Sequence, residues 1–160
     1  MALVKGENVY ADDALSAADL YFAQHVSSEI WAAKTNDVKT GCLVTGTQIL
    51  DSLVYLGTVA SDLQTMSFPR VGEYFDVRKG YMSYFEDTEY PQKMVEASFE
   101  MALHLANNPD LLTDTGSLSD IDLKGLALKG IRSASIIPGH VYTMIRPFLA
   151  SGANNWWRAN

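Results

Sequence analysis

The chain has 160 residues, 48% of them hydrophobic and 19% charged, with a formal net charge of −7. That is enough apolar side chain to fill the core of one domain, and it excludes a wholly disordered polymer. No apolar run approaches the roughly 18 residues needed to cross a bilayer, and Met1-Ala2-Leu3-Val4-Lys5-Gly6 lacks the apolar core and cleavage site of a secretory signal, so synthesis and use in the cytoplasm are expected.

Ser16-Ala17-Ala18-Asp19 has the form of a capping box, with Leu15 and Leu20 spaced as a hydrophobic staple. It predicts a helix from about Ala17 to His25 that turns Leu20, Tyr21 and Val26 inward. Ser27 or Ser28 suits the cap of a short second helix carrying Ile30 and Trp31. Thr35 caps a longer helix, Asn36 to about Leu56, with Val38, Cys42, Thr45, Ile49, Leu53 and Leu56 at helical period. Leu43, Leu50 and Val54 widen that stripe on one flank. Gly41 and Gly46 each cost about 1 kcal/mol against Ala in a helix interior, which points to close approach by another helix. Gly57 ends the element. Cys42 is the single cysteine, so neither an internal disulfide nor a cysteine zinc cluster can form; it reads as a small buried side chain.

Residues 58–90 combine Phe68-Pro69-Arg70, Gly72 and Gly80 with seven aromatic side chains (Phe68, Tyr74, Phe75, Tyr81, Tyr84, Phe85, Tyr90) and no steady period. They predict a long structured loop with a short strand or helical turn, a feature often tied to function. Pro91 opens a helix to about Asn107. A narrow polar line, Lys93, Glu96, Glu100, His104 and Asn107, leaves most of its circumference apolar, so it is the expected central helix. Asn107-Asn108-Pro109 stops it. Ile121 to Lys129 alternates with the two-residue period of a strand and predicts a short hairpin or extended arm. Pro138 opens a final short helix through Val141, Tyr142 and Ile145, which Pro147 kinks or ends.

Charge is unevenly spread. Met1 to Asp122 holds seven Lys/Arg and all 19 Asp/Glu, whereas Leu123 to Asn160 holds five Lys/Arg and no acid. Such asymmetry marks an interaction tail. An acidic body is a poor ligand for phosphates of its own sign. The tail ends in Trp156-Trp157-Arg158, residue types enriched at interface hot spots. Two placements of this tip are open: docked into another chain, or folded back on its own domain. Stacking on single-stranded bases is a third use of the same side chains.

Signs of catalysis are few. His25, His104 and His140 have no ligand-spaced partners, and His-x-x-x-His, Cys-x-x-Cys, Gly-Lys-Ser/Thr and Gly-x-Ser-x-Gly patterns are absent. Gly41-x-x-x-x-Gly46 lacks the Lys-Ser/Thr of a phosphate loop. The carboxylate groups Asp12-Asp13 and Glu86-Asp87-Glu89 could serve a small metal-dependent enzyme, but adjacent surface acids are ordinarily just solvated. The expectation is a protein that is not an enzyme and uses no metal or cofactor.

Tyr10, Ala18-Asp19-Leu20-Tyr21-Phe22, Trp31, Ile49-Leu50-Asp51, Gly57, Gln64, Phe68-Pro69-Arg70, Tyr90-Pro91, Ile137-Pro138 and Arg146-Pro147-Phe148-Leu149 follow in an order with a precedent. Over about residues 1–150 the chain resembles a family of tailed-phage proteins labelled DnaT-like single-stranded-DNA-binding proteins, whose members look like head-to-tail adaptors, also called neck or connector proteins. The resemblance implies a mainly α-helical adaptor, homo-oligomeric as a ring of typically twelve copies beneath the portal. Such a ring extends the channel for packaged double-stranded DNA and receives the next neck or tail protein, in the virion. It implies an adaptor domain over 1–112 and, over 113–160, an arm, a short helix and a portal-docking tail. Phe148, Trp156, Trp157 and Arg158 are the expected portal contacts. The Phe68-Pro69-Arg70 loop is the expected subunit or tail contact, with simple core and turn roles for Phe68 and Pro69 as the alternative. An acidic channel lining would let DNA slide without sticking. The alternative function is the single-stranded DNA binding that the label names.

Overall fold

A computed structural model of the chain describes residues 2–112 and 136–150. In chain order it holds α1 (Ala14–Ala23), α2 (Ser28–Ala32), α3 (Asn36–Asp51), β1 (Thr58–Val59), β2 (Arg70–Val71), β3 (Glu73–Asp76), β4 (Tyr81–Tyr84), α4 (Gln92–Asn107) and α5 (Gly139–Ile145). Short 3-10 turns at Pro109–Leu112 and Arg146–Phe148 follow α4 and α5. The described chain is mainly helical, with two small antiparallel sheets, β1 on β2 and β3 on β4.

The central helix is α4, as its narrow polar line predicts. It buries Met94, Ala97, Met101 and Leu105 in one core cluster and Phe99, Ala102 and Leu103 in a second. The first cluster gathers Leu50, Tyr55, Phe68, Phe85, Val141, Ile145 and Phe148. The second gathers Ala14, Ala18, Phe22, Trp31, Leu43 and Val44. A helix that is apolar on most sides thus separates and anchors two cores.

α3 crosses α4 at Gly46, where an added Cβ would lie 3.2 Å from the Ala102 nitrogen and 3.3 Å from Met101 Cγ. Gly41 faces open space instead, so close approach accounts for only one of the two glycines. Gly41→Ala is therefore expected to stabilise the fold by about 0.5–1 kcal/mol through helix propensity. Gly46→Val is expected to destabilise it by about 1–3 kcal/mol through overpacking. Urea unfolding of both variants checks the pair.

Thr35 caps α3 as its sequence predicts, its hydroxyl accepting from the Val38 N–H at 3.4 Å. The helix stops at Asp51, short of Leu56, and its deep face is Leu43, Val44, Thr47 and Leu50. The flank, not the expected central stripe, therefore faces α4, and Val38 is exposed. α1 begins at Ala14, ahead of the expected start at Ala17, after Asp13 in a left-handed conformation (φ 46°) and without a side-chain cap. Its buried face is Ala14, Ala18 and Phe22. Small residues let this helix lie close to its neighbours, so Leu20 is turned outward, 75% exposed, and Val26 beyond the helix is also exposed. Asp19 then ties three helices together: it accepts from Trp31 Nε1 at 2.7 Å and from the buried Lys39 ammonium at 2.8 Å.

The aromatic segment after α3 carries both sheets, and the hairpin of the described chain is β3–β4 within it. The hairpin or arm expected at 121–129 lies outside the described residues. At its base, Gly57 (φ +73°) sits against Val71 and Gly72, a conformation and a proximity that exclude a side chain. Residues 136–150 return to the first core. Val141 and Ile145 are fully buried, the Leu56 N–H donates to the Phe148 carbonyl at 2.8 Å and the Ala150 N–H to the Val54 carbonyl at 3.0 Å.

Candidate functional site

Of the residues expected at partner contacts, Phe68 and Phe148 are turned inward, and Pro69 and Arg70 are partly exposed. Phe68 is fully buried, its ring edge-on to Tyr10, Tyr55 and Phe85. The Phe68–Pro69 peptide bond is cis. Arg70 folds back over the same loop, donating from Nε to Leu56 O (2.7 Å), from Nη1 to Ser67 O (3.0 Å), and from Nη2 to Gly57 O (2.7 Å) and Tyr55 O (3.3 Å). Burial pulls its pKa below the usual guanidinium range. Beside it, Asp51 accepts from the Tyr10 hydroxyl (2.9 Å) and the Ser67 N–H (2.8 Å). Burial first, and then neighbours including Asp51, push the Tyr10 pKa up. Gln64 donates to the carbonyls of Met66 and Pro69. The Phe-Pro-Arg segment is thus an internal strap, and core and turn roles, not an exposed contact, describe Phe68 and Pro69.

Phe148, an expected portal contact, lies in the first core. It is 5% exposed and packs against Tyr74 (5.0 Å between ring centroids) and Phe85 (5.8 Å). An aromatic ring already enclosed by its own domain offers a partner no surface. Trp156, Trp157 and Arg158 lie outside the described residues.

What the molecule does present is the outer face of the β3–β4 hairpin. Its register pairs Phe75 with Met82 and Glu73 with Tyr84, while Tyr74 and Ser83 share the opposite face. Tyr74 points down onto Phe85 and Phe148; Phe75, Met82 and Tyr84 stand outward, 49%, 51% and 70% exposed. Cross-strand neighbours on one face touch, so these three form a continuous apolar patch. The turn is held by Asp76, which accepts from the backbone of Arg78 and Lys79, and the Lys79 ammonium lies 5.8 Å from the centre of the Tyr81 ring. Glu73 takes a hydrogen bond from the Tyr84 hydroxyl and raises its pKa. Sequence reasoning passed over this face because aromatics occupy both sides of the hairpin and mask its two-residue alternation.

A second polar cluster joins α1, α4 and α5. Glu100, part of the narrow polar line of α4, is 6% exposed. One carboxylate oxygen accepts from the Tyr21 hydroxyl (2.8 Å) and faces His25 Nε2 (3.2 Å); the other faces His140 Nε2 (3.4 Å). The histidines without ligand spacing in sequence therefore converge on one helix face. Among the described residues no group of three or more His, Cys, Asp or Glu is arranged to hold a metal ion. The acids of Asp12-Asp13 and Glu86-Asp87-Glu89 are all exposed.

His104, one turn along α4, has a buried Nε2 without a hydrogen-bond partner. Burial, and then the nearby His140, lower its pKa. A folded-state pKa below the unfolded value means that the unfolded chain binds more protons in that window. This residue's contribution to stability is therefore full at neutral pH and falls as pH drops through the unfolded histidine range, near 6.5. His104→Gln is expected to flatten that part of the stability profile, measured by urea unfolding between pH 7.5 and 5.5.

A family model, described as "Putative DnaT-like ssDNA binding protein", matches residues 2–156. The chain belongs to that family. Comparison with curated proteins and with solved structures found no match. The match runs through the internal strap, the hairpin and the return of α5. Of the residues that carry the sequence resemblance, Tyr10 donates to Asp51, while Gln64 and Arg70 donate to backbone carbonyls of the same strap. Among the described residues no helix is long and apolar enough to cross a membrane.

Proposed function

We propose that this chain is a structural virion protein, a ring-forming head-to-tail adaptor that joins the portal to the tail and extends the DNA channel. The observation that carries the reading is the outer hairpin face: Phe75, Met82 and Tyr84 stand exposed on a strand pair braced from beneath by Tyr74. A contiguous apolar patch on a well-packed scaffold is the usual mark of a protein contact. The sign of the charge supports the same reading. The body through Asp122 carries seven basic and 19 acidic residues, and Glu73 stands on the patch itself. Arg70, which sequence alone counts among the cations of this region, is engaged with backbone carbonyls. In this proposal neighbouring copies or the next neck protein cover the hairpin, and the basic Trp156-Trp157-Arg158 tail engages the portal.

Single-stranded DNA binding is the second reading, and the family's description favours it. Arg78 and Lys79 at the hairpin turn, beside Tyr81 and Phe75, supply the cation and aromatic types that such binding uses. The two readings part in a titration of labelled 20-nucleotide single strands at low and at physiological salt. The adaptor reading expects negligible binding at physiological salt and none that depends on Phe75. Tight, salt-sensitive binding that weakens in Arg78→Ala and Phe75→Ala would make DNA binding the better account.

A further inference from the structure

We propose that a second copy of this chain fills the groove between the N-terminal segment, α1 and the start of α4, inserting the outer face of its β3–β4 hairpin. The groove encloses about 790 Å³, and Leu20, Tyr90, Val95 and Phe99 are among its lining residues. That volume lies in the range that encloses a drug-sized body, so a group of side chains fits it better than one. Leu20 stands 75% exposed in it, an apolar surface that the chain's own fold leaves in water. The hairpin has the converse form. Phe75, Met82 and Tyr84 stand outward on its face, and Val77 at its turn is 72% exposed. In the folded chain neither surface covers the other: both are exposed, while Tyr74 seats the hairpin on Phe85 and Phe148.

Charge selects the pairing. Arg78 and Lys79 at the hairpin turn are the chain's one pair of adjacent cations. Arg78 is exposed and makes no ion pair among the described residues, and Lys79 pairs with Asp76 at 3.9 Å. Against Asp76 the two cations leave the turn net positive. Glu73, the acid on the outer face, lies at the far end of the hairpin from that turn. On the receiving side, Asp12 and Glu89 line the groove, and Asp13, Glu86 and Asp87, close to them in the chain, are exposed. Lys5 neutralises Asp12 at 2.8 Å, whereas Glu89 makes no ion pair among the described residues. With seven basic and 19 acidic residues through Asp122, two copies repel in most orientations. The approach that brings the hairpin turn to this rim reverses the sign locally. The same rim opposes phosphates, so a nucleic-acid strand is the poorer occupant. Because the inserted and receiving surfaces differ, the contact is heterologous: it adds copies head to tail and closes as a ring where the rotation allows. That closure rests on the adaptor reading; the pairwise contact does not.

Sedimentation velocity of the full chain alone, with no portal and no DNA, tests the contact. The native chain is expected to grow past a dimer as its concentration rises. Two variants are expected to stay monomeric with their melting temperatures held: Leu20→Arg, which puts a cation in the groove, and Phe75→Glu with Met82→Glu, which charges the hairpin. Mixed in equal amounts, they should form a heterodimer and nothing larger, since one intact hairpin and one intact groove remain. Arg78→Glu and Glu89→Arg are each expected to weaken association about tenfold, and together in one chain to restore it. A native chain that is monomeric at every concentration, a mixture without heterodimer, or no recovery in the double reversal would overturn the proposal. Native growth that stops at a dimer would also overturn it, since the contact would then be reciprocal. Portal binding can be lost while the mixed variants still pair, and kept while they do not, which separates this contact from the adaptor reading.

Discussion

Arg70→Ala is expected to destabilise the fold by about 3 kcal/mol or more, because it leaves the carbonyls of Tyr55, Leu56, Gly57 and Ser67 without the donor that gathers them. For a chain of this size each kcal/mol lowers the melting temperature by roughly 2–4 °C, so a fall of about 10 °C is expected. Arg70→Lys should recover little. An ammonium is a point donor and cannot serve carbonyls spread around a planar guanidinium. The effect should spread, since the strap also seats Phe68 among Tyr10, Tyr55 and Phe85. A thermal melt decides it. A variant that melts within about 2 °C of the native chain would show that the Arg70 bonds do not hold the loop, and Phe68-Pro69-Arg70 would again be a candidate for outside contacts.

The second large effect is on association and leaves the fold alone. Phe75→Glu combined with Met82→Glu places two charges on the outer hairpin face, where both side chains are about half exposed. Because neither belongs to a core cluster, the melting temperature is expected to hold within a few degrees. If this face is a hot spot, binding to its neighbour in the assembly should weaken by about 30-fold or more, the equivalent of 2 kcal/mol at a central contact. Sedimentation or light scattering of the mixed components reads the difference. Unchanged assembly with the doubly charged hairpin would remove the observation on which the adaptor reading rests.

Much of the helical frame is legible in the sequence because it rests on local rules. The Thr35 cap, the Pro91 entry to α4, the stop at Asn107-Asn108-Pro109 and the short helix after Pro138 depend on one or two side chains acting on nearby backbone. The errors arise where tertiary contact decides. At α1 the apolar Leu20 looks like a core residue, yet Ala14 and Ala18 give the closer approach and take the buried face. At α3 the most regular stripe loses to the flank holding Leu43 and Leu50, since Gly46 sets where α4 can cross. Glu100 reads only as one of a polar line on its own helix, and the arrival of Tyr21 from α1, His25 from the turn after it and His140 from α5 makes a buried carboxylate satisfiable.

The candidate site was harder still. Sequence reasoning picked out aromatic and arginine residues because they recur at interfaces. Here the same types, Phe68, Arg70 and Phe148, serve the interior. Composition cannot tell the two uses apart, as both draw on large area and directional donors. Phe75 and Tyr74 are adjacent and chemically alike; which of them faces out depends on the register of β3 with β4.

The central claim is tested most directly by co-purifying the chain, in full length and truncated after Ser151, with its proposed partner, a phage portal protein. The account predicts a stable complex with the full chain and loss of that complex on truncation, which would assign the anchor to the basic tail. Failure of the full chain to bind the portal, together with salt-sensitive binding to single-stranded DNA, would contradict it.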